Sequence, residues 1–297
     1  MTGGDGLAER FESYREHLRA LAYRMLGSLS ESEDAVQEAW LRLARTEPGT
    51  VHNLGGWLTT VVSRVCLDLL RSRTARHEDL VGQHPPDDHP DPGRNADPER
   101  EAVMVDEVGR ALLVVLDRLA PAERIAFVLH DMFAVPFDEI APVLDRTPAT
   151  TKKLASRARL KVRGVPAVSA ADLARHRRVV EAFLAASRAG DVQAIVAVLD
   201  PDVMRRADPV TLPAGRPTEV RGAARVADEV TVFGGTARFA QAALINGAVG
   251  IVVAPHGHLQ SALVVTIAED KIVKYELIAD PARLQHLDLA VLDSCVG

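Results

Sequence analysis

Residues Phe137 to Arg163, FDEIAPVLDRTPATTKKLASRARLKVR, constrain the fold more tightly than any other stretch of this chain. Ile140 and Leu144, then Leu154, Ala155, Ala158 and Val162, recur at the spacing of two short helices with inward stripes. Between them Thr147 is placed to cap the second helix, and Pro148 takes its first position, where a missing N–H costs nothing. The pair reads as a helix-turn-helix. Its second helix carries Lys152, Lys153, Arg157, Arg159, Lys161 and Arg163 without an acid. On the outer side stand Thr150, Lys152, Lys153, Ser156, Arg157 and Arg159, some spaced to reach base edges in a major groove and others to reach phosphates. A charge run alone is more often a solvated helix face; the capped turn between two helices is what favours DNA.

Composition qualifies this reading without overturning it. A net charge of −6 over 297 residues, with a sequence pI near 5.9, argues against DNA binding by the chain as a whole. Phosphate neutralisation depends on the face presented, so local charge outweighs the total. The length suggests about two domains. The chain opens on MTGGDGLAERFESYREHLRAL, without a basic start followed by an apolar run. No window approaches the ~20 apolar residues of a membrane span, so a cytoplasmic protein without membrane association is expected. Cys66 lies in an apolar helical pattern and Cys295 near the end, which reads as a buried small hydrophobe and a terminal thiol. Neither a disulfide framework nor a metal quartet is expected, and no cofactor is implied.

Helical spacing runs from Leu7 to about Arg76, as in Leu18, Leu21, Met25 and then Val36, Trp40, Leu43, for three or four helices. Between Gly82 and Glu99, Pro85, Pro86, Pro90, Pro92 and Pro98 block regular structure while Asp87, Asp88 and Asp91 repel one another, giving a semi-extended acidic linker. Helices are expected again over Val103–Leu119, Pro121–Phe133 and the helix-turn-helix, ending near Gly164, and then over Leu173–Arg188. Beyond these, β-branched runs at Gly250–Val253, Ala262–Ile267 and Lys271–Leu277, with turns at Asn246-Gly247 and Glu269-Asp270, indicate an antiparallel sheet.

Two further segments carry chemistry. In Ser30–Leu43, Val36, Trp40 and Leu43 pack inward and leave Asp34, Gln37, Glu38 and Leu41 together on the opposite face. An acidic face with one leucine suits a basic protein groove better than DNA, although the same face could simply be solvated. In Trp57–Arg73, WLTTVVSRVCLDLLRSR, an apolar stripe carries Arg64, Arg71 and Arg73 on its outer side, a second basic helix that would add a second nucleic-acid contact.

Together and in this order, the three segments resemble an extracytoplasmic-function sigma factor of the sigma-70 family. The resemblance implies that Asp34, Gln37, Glu38 and Leu41 meet the beta-prime clamp of core RNA polymerase. It implies that the helix holding Trp57, Thr60, Arg64, Arg71 and Arg73 melts and reads the promoter minus-10 element. Thr150, Lys152, Lys153, Ser156, Arg157 and Arg159 would read the minus-35 element, on a domain that meets the beta flap. The tail resembles a SnoaL-like, NTF2-like domain, a sheet wrapped by helices around a conical pocket, and Val220–Ala223, Asn246–Ala248 and Ala279–Leu284 match the subgroup of sigma factors with such a tail, the SigJ-like group. Arg221, Asn246, Asp280, Pro281, Arg283 and Leu284 are its candidate regulatory residues. In that subgroup the tail modulates the factor from within, so no separate anti-sigma factor is required; a monomer is expected, and the pocket leaves room for a small-molecule ligand.

The expected fold is multidomain: two all-α sigma domains, a region 2 bundle and a region 4 helix-turn-helix, followed by an α+β cone domain. The expected division is 1–78 for region 2, 79–102 for the acidic linker, 103–164 for region 4, 165–172 for a short linker and 173–297 for the tail. Against the family pattern, Pro142 should bend the first helix of the helix-turn-helix. Asp145 stands where glycine is usual, and Thr151 stands where an apolar residue is common and should loosen the inner stripe. Arg205-Arg206-Ala207-Asp208 replaces a glycine-rich acidic stretch. Two other readings remain open: a helix-turn-helix regulator acting without polymerase, and a tail with isomerase or cyclase activity through Asp200, Asp202, Asp208, His256, His258 or Asp280. The paired histidines fall on an expected turn with no third ligand nearby, which is weak support for a metal, and the chain is expected not to be an enzyme.

Overall fold

A computed structural model describes residues 3–47, 50–80, 104–105, 108–212, 215–232 and 234–292. The proline-rich segment Gly82–Glu99 and Cys295 lie outside the described residues. The chain forms two compact bodies, one drawn from residues 1–108 and 116–160, the other from 109–115 and 161–295.

In the first body, α1 (Gly3–Leu26), α2 (Leu29–Ala44) and α3 (Leu54–Leu80) form a bundle. Leu18, Leu21 and Met25 of α1, Val36 and Leu43 of α2, and Leu58, Val62 and Cys66 of α3 are buried in it, as the helical spacing predicts. Trp40 is half-buried, its ring 5.0 Å from that of Phe11. Ser28 caps α2 by accepting the Glu31 N–H at 3.4 Å. Burial pushes the Cys66 thiol up to about 12, which makes it an inert apolar filler.

The same body holds the end of α4 (Arg110–Asp117), all of α5 (Pro121–Phe127), a π-helical turn at Val128–Met132, α6 (Phe137–Leu144) and most of α7 (Pro148–Arg163). The expected Val103–Leu119 helix is interrupted: Gly109 has φ +86, a left-handed backbone that no α-helix continues through, and α4 starts after it. Helix α6 survives Pro142, and its end is closed by Asp145 in the left-handed conformation at φ 54, ψ 48. The Ala141 carbonyl accepts the N–H of both Asp145 and Arg146, which leaves the Pro142 carbonyl to another partner. The inner row of α7 is Thr151, Ala155, Ala158 and Val162, while Leu154 is only half-buried. Thr151 does not loosen that row, because its hydroxyl donates to the Thr147 carbonyl at 3.1 Å and is thereby satisfied inside the protein.

In the second body, α8 (Ala170–Ala189), α9 (Val192–Val198) and α10 (Ala223–Val232) cover a seven-stranded sheet. Helix α8 starts earlier than the Leu173–Arg188 pattern because Ser169 caps it through the Asp172 N–H. The strands are β1 (Leu199–Ala207), β2 (Glu219–Arg221), β3 (Ala240–Ile245), β4 (Ala248–Val253), β5 (Ser261–Ala268), β6 (Lys271–Ile278) and β7 (Leu289–Ala290), in the order β2-β1-β6-β5-β4-β3-β7. Asn246 and Gly247, at φ 51 and 79, turn β3 into β4, and Glu269 and Asp270, at φ 48 and 62, turn β5 into β6. Positive φ at both central residues is the two-residue hairpin turn whose twist matches the strands it joins. The sheet is not wholly antiparallel: β1 runs parallel to β6, which it joins after the intervening hairpins have reversed direction. Phe183, Ile195, Val203, Val226, Ile251 and Tyr275 pack in the core between helices and sheet. In the same body the Gln241 side chain accepts the Ala111 N–H at 3.0 Å, satisfying the first turn of α4, and Arg110 lies over the Phe239 ring at 5.5 Å.

Since Asp145 holds a backbone that costs an L-residue free energy, Asp145→Gly is expected to raise stability by about 0.5 kcal/mol. Urea unfolding followed at α-helical ellipticity measures this, and a lower midpoint in the variant would mean that the aspartate side chain contributes more than the turn strains.

Candidate nucleic-acid interface

The helix-turn-helix is built as its sequence indicates. Thr147 Oγ1 accepts the Thr150 N–H at 3.2 Å and lies 3.0 Å from the Thr150 hydroxyl, so Thr150 is partly committed to the cap. Lys152, Lys153 and Arg157 are exposed, and Ser156 is half-buried beside them. Arg159 differs from these. Its Nε donates to Asp131 Oδ1 at 2.7 Å and its Nη2 approaches the same oxygen at 2.5 Å, so its guanidinium is held by an acid of the preceding π turn.

On α2 the structure brings Asp34, Gln37, Glu38 and Leu41 to one face. Asp34 and Gln37 are exposed, Leu41 is 41% exposed, and Glu38 pairs with Arg42 at 2.8 Å in an open i,i+4 bridge. The opposite face, Leu29, Ser32, Ala35, Val36, Ala39 and Leu43, is buried.

The expected minus-10 residues are less uniform. Trp57 and Thr60 are half-buried on α3, and the Thr60 hydroxyl donates to the Gly56 carbonyl at 2.9 Å. Arg64 Nη2 donates to the Pro142 carbonyl at 3.0 Å, taking the acceptor that α6 leaves open. Arg71 is exposed, with Asp68 4.0 Å away. Arg73 turns inward, where it pairs with Glu31 and donates to the Leu26 carbonyl at 3.0 Å. A cleft of about 270 Å³ between α3 and the π turn and α6 is lined by Thr59, Thr60, Ser63, Phe133, Val135 and Glu139.

The tail residues hold their own fold together. Asn246 Oδ1 accepts the Asp288 N–H at 2.9 Å, and Asp280 caps α11 (Pro281–Gln285) through the Arg283 N–H at 2.9 Å, with Pro281 at the first position and Leu284 buried. Arg283 bonds to Asp208 and, at 2.6 Å, to Glu276, while Arg221 pairs with Glu219 at 3.0 Å. Asp208 is buried and accepts the N–H groups of Ala279 at 3.0 Å and Asp280 at 3.1 Å. Burial pushes its carboxyl up, but these donors and Arg283 outweigh burial and hold it below the usual carboxylate range. Arg205, buried, donates to Glu229 at 3.0 Å and to the Pro217 carbonyl at 3.0 Å. The Arg205–Asp208 stretch is therefore accommodated by two local charge networks. Asp200 accepts the Asp202 N–H at 2.8 Å, and His256 is exposed on its turn at φ 52. Among the described residues no group of three or more His, Cys, Asp or Glu is placed to hold a metal ion, and no helix is long and apolar enough to cross a membrane.

Asp131, Arg124 and Glu229 were not indicated by any motif. Arg159 is 28 residues from Asp131 and Arg205 is 24 from Glu229, while Arg124 joins Asp117, 7 residues away across a turn, to the Arg24 carbonyl, 100 residues away, and fixed-spacing rules describe none of these.

Comparison with known proteins places both helical segments. The Sigma-70 region 2 family matches residues 10–76 and the Sigma-70 region 4 family matches residues 109–162. The chain is similar to the ECF RNA polymerase sigma factor SigJ of Mycobacterium tuberculosis, 42% identical over 251 residues, covering 81% of this chain and 78% of that protein. It is also similar to the probable ECF RNA polymerase sigma factor SigI of the same species, 33% identical over 291 residues, covering 97% and 98%. The crystal structure of M. tuberculosis SigJ aligns at 33% identity over 94% of this chain and 98% of that one, with a TM-score of 0.43.

Because the Asp208 carboxyl is held below its unfolded value near 4, its contribution to stability is present above that pH and is lost as pH falls through the lower folded value. Asp208→Asn is expected to lower stability at pH 7 by about 1–3 kcal/mol. The gap between the two proteins should narrow as pH falls below the unfolded value and the carboxyl of Asp208 takes up its proton. Thermal melting across pH tests this, and a constant gap at every pH would assign the loss to something other than charge.

Proposed function

This chain belongs to the extracytoplasmic-function sigma factors of RNA polymerase, and from that membership we propose which surface performs each part of promoter-specific initiation. It binds core RNA polymerase and directs it to promoters. The α2 face of Asp34, Gln37, Glu38 and Leu41 docks on the beta-prime clamp, an apolar contact at Leu41 ringed by carboxylates and an amide. Helix α3, with Trp57, Thr60, Arg64, Arg71 and Arg73, opens and reads the minus-10 element. Helix α7 reads the minus-35 element, with Lys152, Lys153, Ser156 and Arg157 toward the groove, and its domain meets the beta flap. The observation that carries the reading is the capped helix-turn-helix with Lys152, Lys153 and Arg157 exposed on one outer side.

The functional division follows 1–78, 103–164 and 173–297, joined by 79–102 and 165–172. Sigma factors are not enzymes. Asp208 and Asp280 are occupied in a hydrogen-bonded turn and a helix cap, which supports a regulatory tail over a catalytic one. The tail acts from within the chain in place of a separate anti-sigma factor, with Arg221, Asn246, Asp280, Pro281, Arg283 and Leu284 shaping the surface it presents. The factor works as a cytoplasmic monomer, and a small molecule that binds one form of the tail better than another would shift its activity.

The arrangement within the first body supports a low-activity form. Arg64 spends one donor on the end of α6 and Arg73 is held by Glu31, so fewer of their donors stand open to the minus-10 strand. Promoter opening would exchange those bonds for bonds to DNA.

Glu38→Arg in the full chain is expected to abolish binding to core polymerase. The open pair it forms with Arg42 contributes only about 0.3–0.5 kcal/mol, so the fold should persist. Co-purification with core polymerase measures the outcome, and normal retention would remove α2 from the interface. Lys153→Ala with Arg157→Ala should weaken minus-35-dependent run-off transcription, each lost base contact costing about 1–3 kcal/mol. Unchanged output from such a promoter would place the reading surface elsewhere.

A further inference from the structure

One acid near the helix-turn-helix has no role in the reading above. Asp131 sits on the π turn Val128–Met132, its side chain 10% exposed, and it spends one oxygen on both Nε and Nη2 of Arg159. A carboxylate this deeply placed is costly to bury unless a cation meets it. The π turn arranges the meeting. A five-residue turn advances the chain by less rotation per residue than an α-helix and redirects the side chains that follow, which is why such turns recur at functional sites. His130, next to Asp131, is turned the other way, stacked on Phe137 with ring centroids 3.8 Å apart and its Nδ1 3.1 Å from the Val135 carbonyl oxygen. The turn is thereby pinned on one side while it aims Asp131 at α7 on the other.

The position of Arg159 on α7 determines what the pair can do. At 100° per residue, Lys152, Ser156, Arg159 and Arg163 follow one another at i, i+4, i+7 and i+11, flanking the buried row of Thr151, Ala155, Ala158 and Val162. The middle of the outer face belongs to Lys153, Leu160 and Arg157, all exposed. A helix seated in a major groove turns the middle of its outer face to the bases and its flanks to the sugar-phosphate walls. Arg159, on a flank and 33% exposed, therefore faces a wall. Its guanidinium offers donors along two edges. Asp131 takes the edge of Nε and Nη2, which leaves Nη1 and the second proton of Nη2 to meet a phosphate with paired hydrogen bonds.

We propose that Asp131 is a positioning residue for the minus-35 contact: it fixes the plane of the Arg159 guanidinium so that its outer edge clamps a backbone phosphate bordering the groove. The proposal rests on the assignment of α7 to promoter DNA. Its distinguishing consequence is that Asp131, an acid, favours binding to a polyanion, although charge alone would make its removal strengthen that binding.

The test uses the full chain, with Asp131→Ala, Arg159→Ala, the double variant and Asp131→Asn, each assembled with core polymerase on a promoter whose minus-35 element is varied base by base. Asp131→Ala and Arg159→Ala should each weaken promoter complexes by about tenfold, uniformly across the minus-35 sequences. Each should reduce the slope of log affinity against log salt by about 0.9, the signature of one lost phosphate. The double variant should be no weaker than either single one, and Asp131→Asn, which keeps the accepting oxygen, should recover most of the loss. A merely structural Asp131 would lower the melting temperature and leave the salt slope unchanged, and that result, additive losses, or tighter binding by Asp131→Ala would overturn the proposal. If Asp131→Ala does not fold, Asp131→Leu, close in size and without an acceptor, takes its place, and an unchanged salt slope in that variant overturns the proposal. Nitrogen-15 spectra of the free chain read the pair without polymerase: a slowly exchanging Arg159 Nε–H that is kept in Asp131→Asn and lost in Asp131→Ala supports the buttress, and one that exchanges rapidly in the unmodified chain overturns it. An intact buttress in a chain that forms no promoter complex with polymerase would instead sink the assignment of α7 to DNA.

Discussion

The first body depends on a cation that cannot reach water. The Arg124 side chain on α5 is 2% exposed, bonded to Asp117 at 3.1 Å and directed at the Arg24 carbonyl at 3.4 Å. Burial pushes its guanidinium down from the usual value, and Asp117 pulls it back up. Removing a full charge from water costs several kcal/mol even after relaxation, and one half-exposed carboxylate returns only part of it. What the arginine supplies is placement. It fixes α5 against the end of α1, and the π turn, α6 and α7 all follow from α5 in the chain. Ile125, Phe127 and Leu129 could provide apolar burial in many orientations, whereas a guanidinium that must find Asp117 and a particular carbonyl accepts very few.

The cationic side chains of α3 and α7 divide according to what their neighbours offer. Lys152, Lys153, Arg157 and Arg71 stand in the open, where their charge adds to a local positive field despite a total of −6. Arg64, Arg73 and Arg159 meet acceptors of the chain itself, a proline carbonyl, Glu31 with a helix-end carbonyl, and Asp131. These acceptors differ in strength. A neutral carbonyl is a weaker partner than a carboxylate, so the bond of Arg64 is the easiest of the three to exchange. Arg73, shared between a carboxylate and a carbonyl, is the hardest. Burial and the nearby Arg124 lower its affinity for a proton, a sign that its surroundings do not favour the charge as fully as its bonds suggest.

Features encoded within a few residues were legible in the sequence. Thr147 and Pro148 marked the start of α7, Asn246-Gly247 marked a hairpin, and the spacing of Asp34, Gln37, Glu38 and Leu41 marked one face of α2, because each depends on local geometry alone. Features that require a distant partner were not. Nothing about Arg73 as one of several arginines on a basic helix indicates that Glu31 will turn it inward. Thr151 reads as a polar fault in an apolar row until its hydroxyl is seen to reach the Thr147 carbonyl one turn back. The parallel pairing of β1 with β6 joins strands about 70 residues apart, and periodicity describes a strand's faces without naming its neighbour. Gly109 lay inside an apolar helical pattern, and its left-handed backbone was hidden because a glycine in a helix and a glycine ending one look alike in sequence.

The tail shows how motif residues can serve a fold before they serve a function. Asp280-Pro281-Ala282-Arg283-Leu284 contains a cap, a first-turn proline, an arginine tied to Asp208 and Glu276, and a buried leucine, so each of these four positions is accounted for by the turn between β6 and α11. Asp208 holds that turn from β1's end, two strands' worth of chain being locked by one carboxylate that accepts two backbone N–H groups and a guanidinium. A charge used in this way is a poor base, because two backbone N–H groups and a guanidinium already favour its ionised form. Chemistry on this tail would need a carboxylate whose donors are fewer and whose surroundings raise its proton affinity, the opposite of what surrounds Asp208.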